Sequence, residues 1–184
     1  MKKPGASALP SDRYTLPAYL GPGQESRAVS LNEIIENSRS IYKRLCGPKV
    51  FLEVNLQPNL DQTLDDVVDL NQLLSNLLLL AANAMPFGGF LILWTSNVKC
   101  SEELLGQGQY VRVLIEIQRS APDGTQPIRT LGKGKMQSLR ALVRAKVAEC
   151  QGWFVECQET ECRSLLEVLL PSVSLSSAES WAAA

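Results

Sequence analysis

The chain has 184 residues, enough for one domain that buries roughly 70% of its unfolded surface without a disulfide or metal staple. Hydrophobic residues make up 45% and charged residues 20%, which excludes a disordered chain. Eighteen basic and nineteen acidic residues leave a net charge of −1, which argues against a general nucleic-acid binder, and the absence of histidine excludes a Ser-His or Cys-His triad, a His-ligated metal and a phosphohistidine relay within this chain.

Lys2 and Lys3 are followed by Pro4, Gly5 and Pro10 where a signal peptide needs an apolar stretch. The longest apolar run, residues 77–82, is far short of the ~20 residues of a membrane helix. No membrane association and a cytoplasmic location are therefore expected. Five cysteines at irregular spacing include no C-x-x-C pair, so neither a zinc site nor a redox pair is supported. Cys157 alternates with Trp153 and Val155 and reads as a buried structural thiol.

In chain order, residues 1–28 hold four of the ten prolines and read as a flexible tail or linker. A compact domain is expected over 29–171, and 172–184 reads as a C-terminal tail, small and polar apart from Trp181. Ser30 and Glu33 form a capping box for a first helix whose apolar stripe is Leu31, Ile34, Ile35, Ile41 and Leu45; Gly47 and Pro48 stop it. Val50, Leu52, Val54 and Leu56 alternate as a half-buried strand. After a loop over 58–66, a second helix is predicted over 67–85, ending before Pro86 and the Gly88-Gly89 turn. Its core face is Leu73, Leu74, Leu77, Leu78, Ala81 and Ala84; Gln72, Asn76 and Asn83 lie opposite, interrupted by Leu79 and Leu80.

Strands are predicted over 90–95 and 110–118, the second placing Val111, Val113, Ile115 and Ile117 on one face. Residues 119–134 read as a Pro/Gly loop. A third helix over 135–149 turns Leu139, Leu142, Val143 and Val147 inward. Strands over 153–158 and 164–170 follow, with Pro171 closing the last, and Trp94 and Trp153 read as core anchors. The order α-β-α-β-β-α-β-β implies few parallel crossovers, hence an α+β fold: a two-layer sandwich with a mixed sheet and helices packed on one face.

Charge is segregated along the chain. Arg129, Lys133, Lys135, Arg140, Arg144 and Lys146 fall in one window without an acidic residue. It is either an ordinary solvated helix face or a docking patch for an acidic partner or phosphate, with Lys133, Lys135, Arg140 and Arg144 as the candidate interaction residues. Gly132 and Gly134 lead into a helix N-terminus, whose backbone N–H groups attract anions.

Residues 66–93, DVVDLNQLLSNLLLLAANAMPFGGFLIL, resemble the ATP-binding helix and following strand of sensor histidine kinases, in the GHKL ATPase superfamily. Asp66, Leu70, Gln72, Leu74, Asn76, Leu77, Ala84, Met85, Pro86, Gly88 and Gly89 occupy matching places. Upstream, residues 30–60 resemble the family's first helix and strand; downstream, YVRVLIEI and LLEVLLP resemble two of its later strands. The resemblance implies a GHKL-type α/β sandwich over 29–171 and signalling of the two-component type.

The departures fall where the family's ligand should sit. Leu80 stands where the family's second Asn ligates Mg²⁺, and a hard, oxygen-preferring cation gains nothing from an alkyl group. At the first glycine box the acid that reads adenine is matched by Ile117, and both glycines are missing. GKGKMQS, residues 132–138, keeps Gly132, Gly134 and Ser138 of the second glycine box, with Met136 in place of its third glycine. The connection between the boxes is too short for a full nucleotide lid. Asn76, Asn83, Gly132 and Gly134 are accordingly expected to be relics of a cofactor pocket, with no catalytic residue, no metal site and no cofactor. The resemblance so modified implies a degenerate domain, inactive as kinase or ATPase, that serves as a protein-interaction module for an acidic or phosphorylated signalling partner. Two alternatives stay open: altered but retained binding of a nucleotide (ATP with Mg²⁺) or phosphate ligand, and a structural domain that homodimerises through an exposed sheet edge or the first helix.

Overall fold

The computed structural model describes residues 28–100, 108–122, 127 and 130–173. Helix α1 spans Leu31–Cys46, and the Ser30 hydroxyl caps it by accepting from the Glu33 N–H at 3.4 Å. Gly47, at φ 88°, stops it in a conformation that favours glycine. The stripe differs from expectation at one position. Ile41 is 55% exposed, and the seam runs instead through Ser38, Tyr42 and Cys46, one turn apart along the helix. Ser38 and Tyr42 are admitted because the Asn71 Oδ1 on the next helix accepts from both, at 3.3 and 2.7 Å. Burial pushes the Tyr42 phenol up to about 12.

Strand β1 (Val50–Asn55) follows, then a short strand β2 (Gln62–Thr63) inside the segment predicted as loop. Helix α2 covers Val67–Asn83, capped by Asp66, whose Oδ1 accepts from the N–H groups of Val68 and Asp69. Strands β3 (Gly89–Cys100) and β4 (Gly108–Arg119) form a long antiparallel pair. Helix α3 (Lys133–Glu149), β5 (Trp153–Gln158) and β6 (Arg163–Val173) complete the fold.

The sheet order is β1-β3-β4-β6-β2, with β5 also paired to β6; β1 and β3 are parallel and the other pairs antiparallel. Pro171 does not end the last strand. It lies opposite Tyr110, and Ser172 and Val173 continue on to pair with β2. The N-terminal side of the domain is tied in at the same place, where Val29 and Thr63 exchange both backbone hydrogen bonds.

The three helices cover one face. Leu91 and Leu93, Val111 through Ile117 in alternation, and Leu166, Val168 and Leu170 meet the apolar sides of α1, α2 and α3 in a single core. The expected α+β sandwich is therefore the observed one. The tryptophans are not core anchors, however. Strand alternation places Trp94 and Trp153 on the opposite face, 41% and 43% exposed, and Cys157 and Val155 lie exposed beside Trp153. Among the described residues no helix is long and apolar enough to cross a membrane.

Candidate functional site

A cleft of about 310 Å³ opens between α2, α3 and the ends of β4, β5 and β6. Its floor is apolar: Leu80 from α2, Ile117 from β4 and Leu166 from β6, each 2% exposed. Ile117 lies within the ladder, opposite Leu91 and Ser164, and Arg119, two residues later on the same face, lines the same cleft. The sequence reading passed over Arg119, although its period-2 relation to Ile117 signals a shared face.

Arg119 is tied down by protein acceptors on three sides. Its Nε donates to the Ala84 carbonyl at 3.0 Å, one terminal nitrogen to the Glu161 carbonyl at 3.1 Å, and the other to the Ser164 hydroxyl at 2.7 Å. The guanidinium thus joins the C-terminus of α2, the β5–β6 turn and β6 across the cleft, and the Ala84 carbonyl at a helix C-terminus suits a cation. The register that places it there depends on Gly88 and Gly89, at φ 85° and 147°, which turn the chain from α2 into β3 opposite Arg119. A Cβ on either would collide with backbone, at the Lys49 carbonyl or the Gln118 carbonyl.

On the α3 side, Arg140 makes a bidentate pair with Glu156 of β5, with Nε and Nη2 each 3.0 Å from a carboxylate oxygen. Arg144 stacks 6.0 Å from the centroid of the Phe154 ring. Both were expected on the outer surface of the helix. Arg144 is exposed and Arg140 half-buried, both flanking the cleft beside β5, and Leu142, expected inward, is 46% exposed. Lys146 is held above the ordinary lysine range by hydrogen bonds to Asp69 and Glu149, at 2.8 and 2.9 Å, and so ties α3 to α2. Beside it, burial raises the Asp65 carboxyl, and burial pushes the hydrogen-bonded Cys150 thiol up to about 12.

Helix α3 begins two residues earlier than predicted, so Gly132 is its N-cap and Gly134, Lys133 and Lys135 fall in the first turn. No side chain caps this end and no acidic residue stands in its first turn. Lys133 and Lys135 are exposed and make no ion pair with the described residues. A Cβ built at Gly132 or Gly134 meets nothing within 4 Å. The Ser138 hydroxyl donates back to the Gly134 carbonyl at 3.1 Å. Arg129 lies outside the described residues.

The two candidate asparagines part company. Asn83 donates to the Leu79 carbonyl and accepts from the Leu131 N–H, both at 2.8 Å, fastening α2 to the segment that enters α3. Asn76 is half-buried, and its Nδ2 is a buried donor without a partner. Leu80 offers a cation no lone pair, and no group of three acidic, Cys or His side chains converges among the described residues. An uncapped helix N-terminus such as that of α3 attracts anions.

No protein-family model matches the sequence, and no curated protein matches it. Solved structures do. The chain is similar to a mycobacterial sensor histidine kinase, MprB, with a TM-score of 0.58 and 18% identity over 82% of this chain and 99% of that one. It is similar to the Acinetobacter baumannii histidine kinase AdeS, with a TM-score of 0.55 and 15% identity over 79% of this chain and 66% of that one. Full-length ShkA, solved in complex with AMPPNP, gives a TM-score of 0.51 and 20% identity over 80% of this chain and 31% of ShkA. The chain has the fold of the histidine kinase ATP-binding domain and spans about a third of full-length ShkA.

Proposed function

We propose that this domain is a degenerate member of the histidine kinase-like ATPases that does not turn over Mg-ATP and acts as a protein-interaction module in two-component-type signalling, in the cytoplasm of a bacterium. Fold alone does not assign that role. The observation that supports it is the Arg119 guanidinium, bonded to Ala84, Glu161 and Ser164 across the cleft in which a nucleotide would have to lie. Displacing it would leave three acceptors unpaired, at about 1–3 kcal/mol each where they are buried.

The interaction surface is the α3 N-terminus. Two lysines at the positive end of a helix repel its dipole, at about 0.3–1 kcal/mol each, and an anionic segment bound there relieves both. An acidic or phosphorylated loop of a signalling partner has that chemistry. Arg140 contributes less than its position in the sequence suggests, because Glu156 already neutralises it. Calorimetric titration with ATP, with and without Mg²⁺, tests the first half: no saturable binding below millimolar concentration is expected, and a micromolar dissociation constant sinks the reading. Retained binding of a phosphate ligand at α3 is the second reading, favoured by the open space at Gly132 and Gly134. Inorganic phosphate or a phosphopeptide, titrated separately, distinguishes the two.

A further inference from the structure

The helices pack on only one face of the sheet, and no helix among the described residues packs on the other. Strand alternation and register give that outer face a definite layout. On one side stand Phe51, Phe90 and Trp94: Phe51 and Phe90 are opposite each other on β1 and β3 with ring centroids 5.6 Å apart, and Trp94 lies opposite Leu114 of β4. On the other side stand Val155 and Trp153 of β5. These five side chains are 41–60% exposed.

Between the two apolar halves runs a seam of charge along β4 and β6. Arg163 pairs with Glu116 at 2.8 Å, and Arg112 pairs with Glu167 at 3.8 Å and donates to the Ser96 hydroxyl at 2.9 Å. The seam is neutralised within the face and has no charge left to recognise a nucleic acid or an acidic loop. Exposed aromatic patches of this extent are unusual on a soluble monomer.

We infer that the outer face is a self-association surface on which two copies of this chain pack sheet to sheet. Five strands about 4.8 Å apart, over seven residues of about 3.3 Å rise, give a projected area of about 550 Å² before side-chain relief is added. A standard interface uses about 800 Å² of accessible surface per partner, which a rugged face of that outline supplies. A second copy is the occupant whose layout matches. With a two-fold axis along the seam, the Phe51–Phe90–Trp94 half of each copy meets the Trp153–Val155 half of the other, and seam lies on seam. Two stacked sheets, about 10 Å apart, are a standard way to close such faces. The surface lies across the sheet from the cleft, so it stands whether or not the proposed function does, and pairing leaves the α3 N-terminus free.

Sedimentation velocity on the full chain, from about 1 µM to about 500 µM, tests it by mass action. The expected result is a concentration-dependent monomer–dimer equilibrium that persists in about 0.5 M salt, where exposed charge pairs are screened. Trp94→Glu and Val155→Lys should each weaken dimerisation by about tenfold or more, as hot-spot substitutions do, with unchanged circular dichroism. The two residues sit on different strands, so misfolding of one variant leaves the other as the test. Lys135→Glu, on the far side of the molecule, should leave self-association unchanged. A monomer throughout the concentration range overturns the inference. So does a dimer indifferent to both outer-face substitutions, or one dissolved by salt or by Lys135→Glu.

Discussion

On the floor of the cleft, Leu80, Ile117 and Leu166 are as buried as the centre of the core, and Arg119 beside them donates three hydrogen bonds to protein acceptors. Beyond the residues that line the cleft, the first turn of α3 (the rim) carries Lys133 and Lys135 with neither an acidic neighbour in that turn nor a side-chain cap. The floor is packed apolar surface, whereas the rim keeps a positive charge that packing has not answered. The contrast divides residues that hold the fold from those to which the proposed function assigns an anion. Substitutions should separate them.

The largest effects are expected on the floor. Leu80→Asn and Ile117→Asp restore the polar residues that the histidine kinase resemblance predicts, but each buries a polar group without its ligand, at about 1–3 kcal/mol or more where the group is charged. Thermal melting of the double variant should show a large loss of stability, and calorimetry no gain of nucleotide binding. A melting temperature that stays put would mean that these side chains are not floor residues at all.

Next comes Arg119→Ala, which strips partners from the Ala84 and Glu161 carbonyls and the Ser164 hydroxyl and should cost about 1–3 kcal/mol. Arg119→Lys should recover only part of that loss, because an ammonium cannot span three acceptors in the plane of a guanidinium. Full recovery of wild-type stability by Arg119→Lys would show that charge alone, and not the fork geometry, holds the cleft.

At the rim the sign reverses. Lys133→Glu and Lys135→Glu place negative charge at a helix N-terminus and should raise stability by about 0.3–1 kcal/mol each, while weakening capture of an acidic or phosphorylated partner. Denaturant unfolding and a salt-dependent binding assay read the two effects separately. If stability and binding fall together, the rim is structural and the contrast with the floor fails. Arg140→Glu is a poorer probe, since it sets a carboxylate against Glu156 and disturbs the α3–β5 contact.

An effect of similar size is expected at Gly134. Its added Cβ meets nothing within 4 Å and it lies within the helix. Gly134→Ala should therefore stabilise by about 0.5–1 kcal/mol through helix propensity. Loss of phosphate binding in that variant, with stability raised, would favour a ligand that approaches the backbone there.

Much of the architecture was legible because it is local. Ser30 and Asp66 mark helix starts, Gly47 and Gly88-Gly89 mark stops, and the alternation from Val111 to Ile117 marks a strand, each through the hydrogen bonding or steric limits of a few neighbouring residues. The same locality explains the apolar face of α2. What tertiary structure alone decided is which side of an element meets another. Alternation puts Trp94, Trp153 and Cys157 on defined faces without saying which face the helices cover, so large apolar side chains that read as core stand outside it. Tyr42 displaced Ile41 because Asn71, 29 residues away, completes its hydrogen bond. Arg140 found Glu156, 16 residues on, and Arg119 found Ser164, 45 residues on. A cation's role depends on whether an acceptor closes on it, and that is settled by the register of β4, β5 and β6, which no single segment contains.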